Sequence, residues 1–315
     1  PADFATVLRT ALVAWVGRHG FQSPTPEQPL AVAFSGGLDS TALLHEAASL
    51  WSGAVCAIHV NHGLQALAGE FEAHCRRVCG AWGIPLAVQG VAVRCLPGDS
   101  VEEQARLSRY AALGASARAL GAQVVWLAQH ADDQAETVLL ALSRGSGVAG
   151  LAAMGDRSQH ADIVFGRPWL GVRQSLLRAY VSEQGLAFID DPTNADTRFT
   201  RNRLRHDLMP VMTRAFPSMV EALGRTARHC AEANQLLQAL AQQDLLTAGL
   251  PPKLAQVQSL PAARQANLLR QWLVEEAGRA PSTAQLDELR KQIAAATTRG
   301  HRIHLRVGSG WVQRQ

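Results

Sequence analysis

Lysine is nearly missing from this chain. Of its thirty Lys plus Arg residues only Lys253 and Lys291 are lysine, and residues 1–252 contain none. A phosphate site in that part must therefore use backbone N–H groups, hydroxyls, arginines or a metal ion. Long apolar runs are absent too. None approaches the ~20 residues of a membrane span, and "LRTALVAWVG" near the start reads as an amphipathic helix, without the small-residue cleavage site of a signal peptide. The five cysteines (Cys56, Cys75, Cys79, Cys95, Cys230) are odd in number and scattered. The C-x3-C pair Cys75–Cys79 has no second pair to complete a zinc site, so the expectation is idle thiols in a reducing cytoplasm. Tandem repeats and low-complexity tracts are also missing.

At 315 residues and 47% hydrophobic, the chain can build one large or two ordinary domains. Short apolar runs alternate with helical patterns. "LAVAF" (30–34), "AVCAIHV" (54–60), "IPLAVQGVAV" (84–93) and "QVVWLAQH" (123–130) read as strands. Between and after them lie helices from Thr41 to about Trp51, over 70–83, over 100–121 with a Ser100–Glu103 capping box, and over 131–145. This alternation predicts an α/β fold, a Rossmann-like parallel sheet with helices on both faces. After residue 150 the pattern weakens. "GVRQSLLRAYVSEQG" is a helix, "FIDDPTNADTRFTRNRLR" a polar, turn-rich loop, and from about 219 the chain is almost wholly helical until a strand-like end, "HRIHLRVGSGWVQRQ". The expected division is a catalytic domain over 1–217 and a smaller, mainly helical domain over 218–315.

Net charge is +4, and its distribution says more than its size. Residues 196–230 hold seven arginines against Asp196, Asp207 and Glu221, a surplus equal to that of the whole chain. Such a run is either a solvated face or a phosphate-backbone footprint.

Three polar motifs fall at the carboxyl ends of strands, where such sheets bind ligands: Ser35–Ser40, His59–His62 and His130–Glu136. Around Gly36 and Gly37 successive backbone N–H groups can form an anion nest, and the following helix points its positive end at the same place. Ser35 and Ser40 add hydroxyls. Asp39 would repel a bare phosphate, and becomes useful when Mg²⁺ sits between its carboxylate and phosphate oxygens. The loop implies a metal–nucleotide complex.

"SGGLDS" resembles the PP-loop of the N-type ATP pyrophosphatases. "HVNHGLQ" (59–65), "EEQARLSRYAAL" (102–113), "HADDQAETVLLALSRGSGVAGLAAM" (130–154), "RPWL" (167–170) and "DDPTNADTRFTRNRLRHDLMP" (190–210) follow in order. Together they resemble the tRNA(Ile)-lysidine synthetase family over residues 28–215, with weaker similarity in the helical tail. The resemblance implies an ATP-dependent ligase. It would adenylate the C2 oxygen of the wobble cytidine in the CAU anticodon of tRNA(Ile), after which the ε-amine of free L-lysine displaces AMP to give lysidine. The implied cofactors are ATP and Mg²⁺, and the implied partners are that tRNA and free lysine, with no membrane; assembly as a homodimer is left open. Two departures stand out: Gln65 replaces a frequent arginine, and longer members carry a further C-terminal domain where this chain ends at "WVQRQ", which is either a natural short form or a truncation.

The resemblance places Ser35, Gly36, Gly37, Leu38, Asp39, Ser40 and His59 at the nucleotide, with main chain around Ile58–Val60 reading adenine. Asp39, Arg109, His130, Asp133 and Glu136 would carry the chemistry, Asp39 and Asp133 as metal ligands, and Arg109 reaching the α-phosphate. Asp133 and Glu136 could equally hold the α-amine of lysine. Arg201, Asn202, Arg203 and Arg205 would orient the anticodon loop; the alternative is pairing with Asp or Glu. His59 is ambiguous between site and structure. The rival activity is a tRNA thiolase of the same fold, which would want a reactive cysteine pair; the rival class is a non-catalytic nucleotide- or RNA-binding module.

Overall fold

The computed structural model describes residues 3–61, 68–91, 101–278, 280–297, 302–307 and 310–314. His62, Gln65, Cys95 and the Ser100–Glu103 capping box lie outside what is described. The chain divides into two compact units, Pro1–Arg228 and His229–Gln315.

The first unit opens with helix α1 (Phe4–Arg18), capped by Asp3. It then alternates β1 (Leu30–Ala33), α2 (Leu38–Leu50), β2 (Val55–Asn61), α3 (Ala68–Trp82), β3 (Leu86–Gly90), α4 (Val101–Ala119), β4 (Val124–Trp126) and α5 (Ala131–Ser143). A short α6 (Val148–Leu151) leads to β5 (Arg157–His160) and β6 (Ile163–Gly166), then α7 (Gln174–Glu183). The sheet order is β3-β2-β1-β4-β6-β5, parallel except for the β5 edge.

Alternation along the strands feeds two cores. Leu30, Val32, Phe34, Val55 and Ala57 pack with α1, α2, α3 and α7, while Ala31, Cys56, Ile58 and Val125 pack with Leu113 and Ala117 of α4. Helices therefore cover both faces, as the period-two pattern requires. The sequence pattern did not reveal the β5–β6 hairpin. β6 is four residues long, and β5 is a mostly exposed polar edge, too short and too polar to register as strands. Gly166 ends β6 because nothing larger fits: a Cβ there would lie 2.5 Å from the ring of Trp15 and 2.7 Å from that of Trp126.

Beyond α7 the polar stretch condenses into a 3-10 turn (Pro192–Ala195), α8 (Thr200–Arg203), a π-helical turn (Leu204–Leu208) and α9 (Met209–Ala215). Helix α10 (Met219–Ala248) follows. Its first turns pack Val220, Leu223 and Ala227 against Ala131, Ala135 and Val138 of α5. The break at Phe216-Pro217 marks the start of α10, whereas the division between the two units falls within that helix.

The second unit holds the rest of α10 with α11 (Leu254–Ser259), α12 (Ala262–Ala277) and α13 (Thr283–Ala295) around Leu245, Leu268, Leu273, Leu289 and Ile293. The strand-like end is an antiparallel hairpin, β7 (His304–Val307) with β8 (Gly310–Gln313), His304 opposite Gln313.

Candidate active site

β1 ends at Ala33, and the loop from Phe34 turns straight into α2. Gly36 takes φ +86°, a left-handed conformation, and a Cβ on it would meet Cys75 Sγ at 3.1 Å and His74 Cδ2 at 3.2 Å. Gly37 is the N-cap of α2 and offers no side chain to the first amides of the helix. Those donors face a helix terminus with its positive end exposed, the arrangement that receives anions. The hydroxyls meanwhile bond within the loop. Ser35 Oγ and Ser40 Oγ are 3.0 Å apart, Ser40 Oγ donates to the Gly37 carbonyl at 3.0 Å, and the Gly37 N–H donates to Ser35 Oγ at 3.3 Å. The Ile189 N–H donates to the Gly36 carbonyl at 2.9 Å, which ties the loop to the segment leading into "DDPTN".

His59 is buried under this loop. Its Nδ1 lies 2.9 Å from the Phe34 carbonyl and 3.4 Å from Cys75 Sγ, so the described contacts use it to brace the strand end. Main-chain alternation in β2 leaves a different group facing the crevice. The Ile58 carbonyl accepts from Phe34 N–H on the β1 side, and the Asn61 carbonyl accepts from Val91 N–H on the β3 side. Val60 therefore turns its N–H and C=O toward β1, beyond the point where β1 has already left the sheet.

Opposite the loop, His130 caps α5. Asp133 N–H donates to His130 Nδ1 at 3.4 Å, and His130 N–H donates to Asp133 Oδ2 at 3.2 Å. The ring is buried, with Nε2 lying 3.6 Å from Asp39 Oδ2 and 3.4 Å from Asp133 Oδ2. Burial disfavours the imidazolium, yet the surrounding Asp39, Asp133 and Asp132 outweigh it and raise the His130 pKa. The cap works against this pull. Nδ1 must accept, so the neutral ring carries its proton on Nε2, facing the two carboxylates, and a second proton would break the cap.

Asp39 has a further partner that no motif signalled. Gln174 Nε2, at the start of α7, lies 3.3 Å from each Asp39 oxygen. The Gln174 N–H donates to Asp132 Oδ2 at 2.8 Å, and Arg173 Nη2 reaches Asp132 Oδ1 at 3.1 Å. Asp132 thus holds the α7 turn against α5. Arg167 of "RPWL" is also structural: buried, it donates to the Gly155 carbonyl at 2.9 Å, to Tyr110 Oη at 2.7 Å and to Gln129 Oε1.

Glu136, one turn beyond Asp132, is buried and gripped by two arginines. Arg205 Nε donates to Oε1 at 2.7 Å, Arg205 Nη2 to Oε2 at 3.1 Å and to Asp133 Oδ1 at 3.2 Å, and Arg201 Nε lies 3.3 Å from Oε2. Burial pushes the Glu136 carboxyl above its ordinary range, and Arg205 opposes that only in part. The guanidinium of Arg205 is held protonated by the same carboxylates against its own desolvation. Asn202 is likewise engaged, its Nδ2 donating to the Thr193 carbonyl at 2.7 Å and the Asp196 carbonyl at 3.0 Å. Of the four residues expected at the RNA, only Arg203 is exposed with no polar partner among the described residues. The pairing of Arg201 and Arg205 is with acids, but with those of α5 rather than with acids of their own loop.

The structure therefore brings together Ser35–Ser40, His130, Asp133, Glu136, Arg201 and Arg205, and adds Gln174. Arg109 lies on α4 and has contacts of its own. Among the described residues no group of three or more His, Cys, Asp or Glu side chains is arranged to hold a metal by itself. Three buried thiols are inert. Burial pushes Cys75 up to about 12 and Cys79 and Cys56 up to about 11, so none is a nucleophile at neutral pH.

A family model for the PP-loop domain matches residues 16–212, and one for the TilS substrate binding domain matches residues 253–315. The chain is 51% identical over 286 residues to the tRNA(Ile)-lysidine synthase of Polaromonas naphthalenivorans, covering 91% of this chain and 87% of that protein. It is 44% identical over 277 residues to the enzyme of the same name from Burkholderia pseudomallei, of which it spans 57%. Among solved structures, the U34-tRNA thiolase NcsA from Methanococcus maripaludis with its 4Fe-4S cluster is similar at a TM-score of 0.60 and 15% identity, covering 73% of this chain and 80% of that one, a likeness of fold alone. With the PP-loop built at the β1–α2 turn and its acidic partner motif facing it from α5, the chain belongs to the tRNA(Ile)-lysidine synthase family.

Proposed function

We propose that this crevice adenylates the C2 oxygen of a wobble cytidine with ATP and then admits lysine to the same carbon. The observation that carries the reading is the meeting of Asp39 and Asp133 on one buried imidazole nitrogen, directly beside a helix terminus whose amides lack a cap. In the first half-reaction the cytidine oxygen attacks the α-phosphorus and pyrophosphate leaves toward the amides of Gly36–Ser40. The chain before Lys253 has no lysine to neutralise it, so backbone dipoles hold the leaving group. The outward N–H and C=O of Val60 read the adenine edge.

Mg²⁺ suits the remaining donors. It binds through one or two carboxylates plus phosphate oxygens and keeps several waters, so it needs no protein cluster of three. Asp39 and Asp133 would hold it, and it would neutralise charge on the phosphates. Gln174 keeps Asp39 aimed into the crevice, and His130 Nε2 lies within 3.6 Å of both carboxylates.

In the second half-reaction the ε-amine of free lysine attacks C2, AMP departs, and the ammonium so formed loses a proton. Asp133 and Glu136 are the anionic pair for the cationic end of lysine. In the resting protein Arg205 satisfies both, and an arriving ammonium would take part of that place. The protein would work in the cytoplasm, where ATP, tRNA and free lysine occur together.

An assay with ATP, transcript tRNA(Ile) and free lysine tests the reading. Lysine-dependent formation of AMP and pyrophosphate is the expected result. Dependence on a sulfur donor, or no turnover at all, overturns it.

A further inference from the structure

The segment 199–208 sorts its side chains by helical position, and each stripe has a different fate. Arg201 and Arg205 are four apart, share one face, and are both bound to the α5 acids. Asn202 and His206, also four apart, both bond the 3-10 turn: Asn202 Nδ2 to the Thr193 carbonyl and His206 Nε2, 2.8 Å away, to the Asn194 carbonyl. The remaining stripe is Phe199 and Arg203, joined by the Arg203 N–H to Phe199 carbonyl bond of 3.0 Å. Phe199 is 59% exposed, and Arg203 is exposed without a polar partner among the described residues. These two stripes anchor the segment, and the Phe199–Arg203 stripe is left outward, carrying one aromatic ring and one cation, with the exposed Asp207 one turn beyond.

An exposed aromatic ring gains when a partner takes its faces out of water. Here the covering partner should be flat and anionic, since the ring stands one helical turn from an unpaired guanidinium on a stretch rich in arginine. Arg198, the other cation beside the ring, is already bound to Asp196 at 2.7 Å. We propose that Phe199 and Arg203 form the base-reading surface for single-stranded RNA, Phe199 stacking on an unpaired base of the anticodon loop and Arg203 contacting the adjoining phosphate. This rests on the tRNA reading above and gives it a definite contact. It also moves RNA recognition away from Arg201 and Arg205, which position the segment instead.

The two side chains should fail differently. An anticodon stem-loop transcript is titrated against the full chain at several salt concentrations. Phe199→Ala should weaken binding about tenfold, within the range for losing one stacked base, and leave the salt slope unchanged. Phe199→Trp should restore affinity. Arg203→Ala should flatten the slope of log K against log salt by about 0.7, and Arg203→Lys should restore it. A 2-aminopurine base in the loop should be quenched by the wild type and not by Phe199→Ala. Both positions are exposed, so melting temperatures should match the wild type. If the wild type binds and turns over the RNA while both alanine variants bind like it, this inference fails and the lysidine reading stands. If the wild type does not bind the RNA, both fail. If Phe199→Ala changes the oligomeric state instead of RNA affinity, the ring is a protein contact and the inference is overturned.

Discussion

The two units bury polar groups very differently. Among the described residues the first unit hides ten polar or charged side chains, from Ser40 and Thr41 to Glu136 and Arg167, while the second hides only Asp244. Buried polar groups are costly unless bonded, and the first unit bonds most of its own: Glu46 to Arg9 and Tyr180, Glu136 to Arg205, Arg167 to Tyr110, Gln134 to the Met154 carbonyl and His59 to the Phe34 carbonyl, and the half-buried chain Asp39–Gln174–Asp132–Arg173 crosses the crevice. The second unit is built on leucine and isoleucine, its one buried carboxylate met by Arg264. The difference teaches where to look for function. In the first unit chemistry resides in networks below the surface, and single substitutions should break it. In the second any contact with a partner must be made at the surface, and core substitutions should change stability more than chemistry.

The sharpest test is Asp39→Asn. Pyrophosphate release should fall by about 10²–10³-fold or more, the range for losing one group that stabilises developing charge, while affinity for tRNA stays that of the wild type. Unchanged turnover would dissolve the contrast, because it would make the buried network dispensable.

Glu136→Gln should act on the second half-reaction. A desolvated carboxylate–ammonium contact is worth about 2–5 kcal/mol when one partner is removed. In a single turnover with α-labelled ATP the variant should accumulate adenylated tRNA and need more lysine to discharge it. If no labelled RNA appears, Glu136 serves adenylation itself, by organising Arg201 and Arg205 or the metal, and the lysine pocket lies elsewhere.

A core substitution in the second unit makes the complementary case. Leu273 is buried between α12 and its neighbours, so Leu273→Ala should cost about 2–5 kcal/mol. Calorimetry should show an earlier transition for that unit, with adenylation of an anticodon stem-loop retained below it. Parallel loss of both would mean that the two units unfold as one.

The smallest effect expected is on pH stability. Burial lowers the pKa of His45, His74 and His160 in the folded chain. The unfolded chain then binds more protons as pH falls through the ordinary histidine value of about 6.5, so these groups favour the fold above that pH and lose their contribution below it. His130, whose pKa is raised, pulls the other way, its contribution present at low pH and lost as pH rises. Glu136, whose carboxyl is also pushed up by burial, pulls with His130; with three groups against two, the urea midpoint should be lower at pH 5.5 than at 7.5. An equal or higher midpoint would mean that the carboxylates around His130 dominate.

By itself the sequence determined what depends on neighbours along the chain. Apolar strands of three to seven residues spaced by helical patterns specify β1 to β4 and α2 to α5, because side-chain period and turn chemistry are local properties. "SGGLDS" specifies an anion cradle with a carboxylate inside it, since Gly36 needs its left-handed φ and α2 needs an uncapped start. The 3.6-residue period places His130, Asp133 and Glu136 together. What the tertiary structure alone decided is which partner each of these groups meets. Gln174 reaches Asp39 across 135 residues of chain, and Arg205 reaches Glu136 across 69, and no local pattern encodes such pairings. The arginine-rich run reads identically whether its guanidinium groups face solvent, RNA or protein. Only the packing of α8 against α5 assigns Arg201 and Arg205 to buried carboxylates and leaves Phe199 and Arg203 outward, because desolvated acids must be neutralised by whichever cations the fold brings within reach.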